Sequence, residues 1–142
     1  MTKITSSLFL ATLLALCLHV ASAQAQLVRT CVSMAKGDDN NSASFCHCTT
    51  PCRTFATAHA NTFSDGEITV LDPGDYGGLT ITKSISINND SAGEASITVS
   101  GGLTGIIVSA PAGGYVNLRG LTIQGVGFGT TTGLRSSTAA FH

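Results

Sequence analysis

The stretch Val116-Asn-Leu-Arg-Gly-Leu-Thr-Ile123 decides the fold. Successive side chains of a strand point to opposite faces, so Val116 and Leu118 share one face, and Leu121 and Ile123 share one. The two pairs differ in parity along the chain. A single straight strand would leave one pair on the wrong side of the sheet. The chain must bend between them, and Arg119-Gly120 is the predicted corner, because glycine adopts backbone conformations that other residues avoid. Strand, corner, strand without a hairpin is how parallel β-structure is coiled.

The same texture extends back to Gly66. Short runs rich in β-branched residues recur: Glu67–Leu71, Leu79–Thr82, Ser84–Asn88, Ser96–Val99, Gly105–Val108, Tyr115–Leu118 and Leu121–Gln124. Gly, Asn, Asp and Ser separate them, as they separate short strands. No Asn-Gly or Asp-Gly joins two neighbouring strands, so hairpin signals are weak. A solenoid in which each coil covers the apolar interior of the next fits this pattern. A β-sandwich of the same short strands is the alternative.

Upstream, Leu27–Met34 is a candidate first strand, followed by a polar loop over 35–44 and the cluster Cys46-His-Cys-Thr-Thr-Pro-Cys52. Thr50-Pro51 looks like a helix start, with a hydroxyl at the N-cap and proline in the first turn. Phe55, His59 and Phe63 then recur every fourth residue, predicting one short helix that ends near Ser64-Asp65-Gly66.

The chain opens with Lys3, an apolar run over Leu8–Val20 and small residues through Ala25, the three parts of a secretory leader cleaved after Ala23 or Ala25. The run falls short of the about 20 residues that span a bilayer. A retained membrane anchor or a buried helix is the alternative. All 8 acidic residues but only 6 of the 7 Lys and Arg lie beyond residue 26, leaving a net charge of −2. No basic stripe exists, so a nucleic-acid role lacks electrostatic support. Cys17 goes with the leader. Cys31, Cys46, Cys48 and Cys52 remain, and an even number in an exported chain predicts two disulfides. Three pairings are open; Cys52 with Cys46 or Cys48 is favoured because they share one short segment.

Several motifs together resemble a known family. Pro51-Cys-Arg-Thr-Phe55, Gly66-Glu-Ile-Thr-Val-Leu-Asp-Pro-Gly74, Tyr76-Gly77, Leu79-Thr-Ile-Thr-Lys-Ser-Ile-Ser-Ile87 and Val116–Ile123 resemble exported bacterial proteins of the right-handed parallel β-helix, or pectin-lyase-like, superfamily. The resemblance spans about Cys46 to Gly133 and implies a helix over the open N-terminal end with three-sided coils stacked above it. Two features depart from it: the extra cysteine of Cys46-His47-Cys48, and the ending Arg135-Ser-Ser-Thr-Ala-Ala-Phe-His142, where such proteins add further coils. That ending reads as a truncation or frame shift. An open coil end would expose apolar interior and unpaired backbone, inviting self-association.

Polysaccharide-cleaving members of that superfamily use clustered carboxylates, often with calcium, and a basic residue that takes a proton. Asp72 and Asp75 are the nearest carboxylates here and could hold calcium on a loop. The competing reading makes Asp72-Pro73-Gly74 a tight turn with Asp75 solvated. Arg119 is the candidate base or sugar-acid contact, against an outward, solvated side chain. Cys46, His47, Cys48, Cys52 and His59 could be drawn as a zinc site, but Cys-x-Cys is tight for zinc and export favours disulfides. His59 reads as packed against the core. Asn88-Asn89-Asp90 reads as a strand end bonding its own backbone. Asn40-Asn41-Ser42 and Asn89-Asp90-Ser91 match the glycosylation pattern, which carries little weight in a bacterial context.

The expectation is thus an all-β chain: a right-handed parallel β-helix solenoid with a short N-terminal capping helix and incomplete C-terminal coils. Its parts are a leader at 1–25, a cysteine-rich cap at 27–65, coils at 66–134 and an irregular tail at 135–142. The expected function is non-catalytic binding of polysaccharide or another cell-surface polymer, outside the cell or in the periplasm. The alternative is a lyase or hydrolase fragment lacking its catalytic coils. No cofactor is expected, with calcium at Asp72 and Asp75 the exception considered, and neither nucleic acid nor membrane is expected as a partner of the mature form.

Overall fold

The computed structural model describes residues 27–126 and 132–136. The predicted leader and residues 137–142 of the predicted tail lie outside the described residues. Among the described residues there are ten strands: β1 Leu27–Val32, β2 Thr62–Val70, β3 Gly74–Asp75, β4 Leu79–Ile81, β5 Ile85–Asn88, β6 Ala95–Ser100, β7 Thr104–Val108, β8 Val116–Arg119, β9 Leu121–Val126 and β10 Thr132–Ser136. Among the described residues, a 3-10 helix, Asp39–Ser44, and one α-helix, α1 (Phe55–Asn61), precede β2.

The strands form three sheets, in the orders β1-β2-β5-β8, β3-β6-β9 and β4-β7-β10. Each pairing between these strands is parallel. Consecutive strands never pair with each other except β1 with β2, which are separated by the cap. The triplets β2-β3-β4, β5-β6-β7 and β8-β9-β10 each give one strand to each sheet. An antiparallel sandwich does not fit this pairing.

Register stacks like on like. Ile68 lies beside Ile87 and Ile87 beside Leu118, while Ile85 lies beside Val116. In the other sheets Ile97 pairs with Ile123, Leu79 with Ile106 and Ile81 with Val108. Neighbouring parallel strands sit about 4.8 Å apart, so each apolar side chain meets its counterpart at contact distance. Ile68, Ile81, Ile85, Ile87, Ile97, Ile106 and Val108 are fully buried between the sheets.

The corner at Arg119-Gly120 is present. Gly120 has φ of +68°, and a Cβ there would lie 2.2 Å from the carbonyl oxygen of Asn89. Only glycine permits both that conformation and that approach. The parity change between β8 and β9 follows directly, because the two strands belong to different sheets.

The cap differs from expectation in three places. The helix is capped by Thr54, whose Oγ1 accepts from the Thr57 N–H at 3.3 Å, and not by Thr50. Pro51 and Cys52 are tied to other parts of the cap instead: Cys52 bridges Val32, and the Pro51 carbonyl accepts from Asp38 N–H and Asn41 Nδ2. The helix also stops at Asn61, because Thr62 is pulled into the sheet. Thr62 Oγ1 donates to the Ala58 carbonyl at 2.7 Å, so the hydroxyl of buried Thr30, 2.8 Å away, donates to Thr62. Phe63 is therefore a strand residue, 45% exposed, and not part of the helical face. It lies where β2 bulges against β1: Leu27 faces Thr62 and Arg29 faces Glu67, so that residues 63–66 stand opposite Val28 alone, while Gly66 pairs with Ile85 on the other side.

Smaller differences mark the ends. β1 stops at Val32, since the Ser33 N–H turns to the Cys52 carbonyl and the Met34 N–H to Asp72. β10 runs into the expected tail, with Arg135 beside Ile107 and Ser136 beside Val108. Parallel ladders bond backbone to backbone, so polar residues can extend a strand without any alternation to announce it.

Candidate functional site

Alternation on the four-stranded sheet turns Ile68, Ile85, Ile87, Val116 and Leu118 inward and every second residue outward. The outward residues line up across strands. One row is Arg29, Glu67, Ser86 and Asn117; the next is Thr69, Asn88 and Arg119. Tyr115 precedes β8, and its carbonyl accepts from the Ile85 N–H, continuing the ladder. It is 59% exposed and two positions before Asn117, which places it on the same outer face.

Electrostatics on this face is local and paired. Arg29 Nη2 and Nε donate to Glu67 Oε1 at 2.8 and 3.2 Å. Thr69 Oγ1 donates to the same oxygen at 2.8 Å. Those hydrogen bonds, Arg29's first and Thr69's next, hold the Glu67 carboxyl below its ordinary range. Arg119 Nη2 lies 3.4 Å from Asp90 Oδ1, with both side chains largely in solvent. Asn88 Oδ1 is the one buried side-chain oxygen without a donor among the described residues.

Arg119 is thus an outward, solvated residue of the face. Asp72 and Asp75 are elsewhere and serve the backbone. Asp72 Oδ1 accepts from the Met34 N–H at 2.6 Å and lies 2.8 Å from the Tyr76 hydroxyl; its Oδ2 takes the Ser33 hydroxyl and the Ala35 N–H. Burial pushes this carboxyl up, but the Ser33, Tyr76 and backbone donors outweigh it and hold it low. Asp75 Oδ1 accepts from the Gly77 and Thr98 N–H groups at 3.2 and 3.1 Å, tying β3 to β6. Both carboxylates are committed to internal donors, and no group of metal-binding side chains occurs among the described residues.

The four cysteines pair as Cys31–Cys48 and Cys46–Cys52, the second matching the favoured local pairing. With all four thiols in disulfides the zinc alternative falls. The bonds suit an oxidising compartment. No helix among the described residues is long and apolar enough to cross a membrane.

His59 is 8% exposed, and its Nε2 accepts from the Thr82 N–H at 3.3 Å. Burial, reinforced by the nearby Lys83 charge, pushes it down to about 4, so it is neutral at pH 7. It borders a groove of about 380 Å³ with Ala56, Gly78, Thr80, Thr104 and Ile107, which continues past exposed Leu103. Among the described residues, those lining the groove carry no carboxylate or cation.

Asn89 does more than bond its own turn. Its Oδ1 accepts from the Ala92 N–H, while Nδ2 donates to the Gly93 carbonyl and, across strands, to the Gly120 carbonyl at 2.8 Å. Only the distant corner explains that last bond, and sequence spacing gives no sign of it. The Arg29–Glu67 pair, 38 residues apart, was equally hidden. Compared with known proteins, the chain matches no family model, no curated protein and no solved structure, so nothing there identifies the superfamily its motifs resemble.

Proposed function

We propose that this chain is an exported right-handed parallel β-helix protein that binds polysaccharide or another cell-surface polymer without cleaving it. The observation that carries this reading is the outer face of β1-β2-β5-β8. Its polar side chains stand in register on a rigid parallel sheet, with an exposed aromatic ring at one edge. A flat, ordered array loses little conformational freedom when an extended polymer lies on it. The cyclic visiting of three parallel sheets supports the solenoid, the two disulfides support an oxidising destination, and the apolar leader supports export. The alternative is a lyase or hydrolase fragment lacking its catalytic coils; Asp72 and Asp75, the nearest carboxylates in the coils present, already accept internal donors.

The test is incubation of the mature protein with insoluble and soluble polysaccharides, with and without calcium. Retention on a polymer with no change in its length is expected. Accumulation of unsaturated, ultraviolet-absorbing ends would replace this reading with the lyase.

A further inference from the structure

We infer that the polymer on this face is uncharged and rich in hydroxyl groups, and is not a polyuronate; the inference rests on the binding reading above. Polyanions are held by cations that have no other partner, and such contacts weaken steeply with salt. This face offers none of that kind among the described residues. Arg29 is bound through two nitrogens to Glu67, and Arg119 stands against Asp90. Lys83, at the entrance to β5, donates its ammonium to the Thr62 carbonyl. Asp65, exposed in the bulge of β2, adds a further negative charge at the same edge. A polyuronate would have to pull Arg29 from Glu67 and then lie against the carboxylate it uncovered.

The groups left over suit a neutral sugar chain. Ser86 and Asn117 are neighbours across β5 and β8, partly exposed, and between them can donate and accept. Sugar hydroxyls do both as well. The Tyr115 ring supplies a flat apolar plate with a polar tip, the kind of surface on which the C–H face of a sugar packs. Tyr115 and Asn117 lie about 6.6 Å apart along the strand direction, so a single chain can touch the ring and the amide together.

The closing experiment is affinity electrophoresis of the disulfide-bonded protein in gels holding a neutral glucan, a neutral galactomannan or polygalacturonate, at low and high salt. Retardation by a neutral polymer, insensitive to salt, is expected, with none by polygalacturonate. Tyr115→Ala should weaken the neutral interaction about tenfold. Glu67→Gln, which releases Arg29, should introduce salt-sensitive retardation by polygalacturonate. Retardation of the unaltered protein by polygalacturonate alone would overturn the inference and leave the binding reading standing. No retardation by any polymer would overturn both. Undiminished neutral binding by Tyr115→Ala would remove this face as the site.

Discussion

Around β1, the cap seals the core: Val32, Cys31, Cys46, Cys52, Phe55 and Ala58 are fully buried, and the Phe55 and Tyr76 rings meet at 5.0 Å between centroids. Around β8 and β9, residues of the same apolar kind, Val116, Leu118, Leu121 and Ile123, are only partly buried although they stack on fully buried Ile85, Ile87, Ala95 and Ile97. Inward direction is common to both regions. What differs is the next layer, because a rung is sealed only by what lies on both sides of it. The cap achieves this with a two-turn helix, two disulfides and a half-buried carboxylate hub, where Asp72 gathers Ser33, Met34 and Tyr76.

The contrast can be broken most directly by paired truncations in the same ladder. Ile97→Ala should cost about 3–4 kcal/mol in urea unfolding, within the range for fully buried isoleucine, while Ile123→Ala should cost less than about 2 kcal/mol. Equal losses would mean that the rung of β9 is as well covered as that of β6. Second in size is the joint replacement Cys31→Ser with Cys48→Ser. It opens a loop of 17 residues and should cost about 3 kcal/mol, with the spectroscopic signature of β8 and β9 unchanged until global unfolding. A loss near zero would show that helix and hydrogen bonds hold the cap without the bond.

The third and smallest effect is a pH dependence confined to the cap. His59 falls from 6.5 to about 4 on folding, chiefly through burial. Its contribution is complete above pH 6.5 and is lost as pH falls from there through 4. The low-lying carboxyls of Asp39, Glu67, Asp72 and Asp75 act in a lower window, below their ordinary values of 3.8 and 4.5. Stability followed between pH 7 and 4.5 should therefore slope in the native protein and flatten in His59→Gln. A slope that persists in the variant would assign the dependence to another group.

Legibility followed the range of the interactions involved. Apart from the two-residue β3, which was read as a turn, the strands between 66 and 124 were readable because alternation is a local property, and the corner at Gly120 because parity and glycine coincide there. Both helix boundaries were misplaced, since Thr62 is drawn out of the helix by Thr30 and Cys52 is held by Val32, partners that lie 32 and 20 positions away in the chain. Asp72 and Asp75 could be found by sequence, yet their engagement with Ser33 and Thr98 depends on neighbouring strands. Arg119 was legible as outward-facing; its row partners Asn88 and Thr69 were not.

Side-chain period and glycine placement, written in the chain itself, were enough to specify short strands, inward residues and a sharp corner, because each depends on a few adjacent dihedrals. Which outward residues stand side by side is another matter. Register across the sheets joins Glu67 to Ser86 and Ser86 to Asn117 through backbone bonds that are blind to residue type. Long-range packing of the apolar ladders selects that alignment, and so the composition of the face on which function is proposed emerged from the folded arrangement.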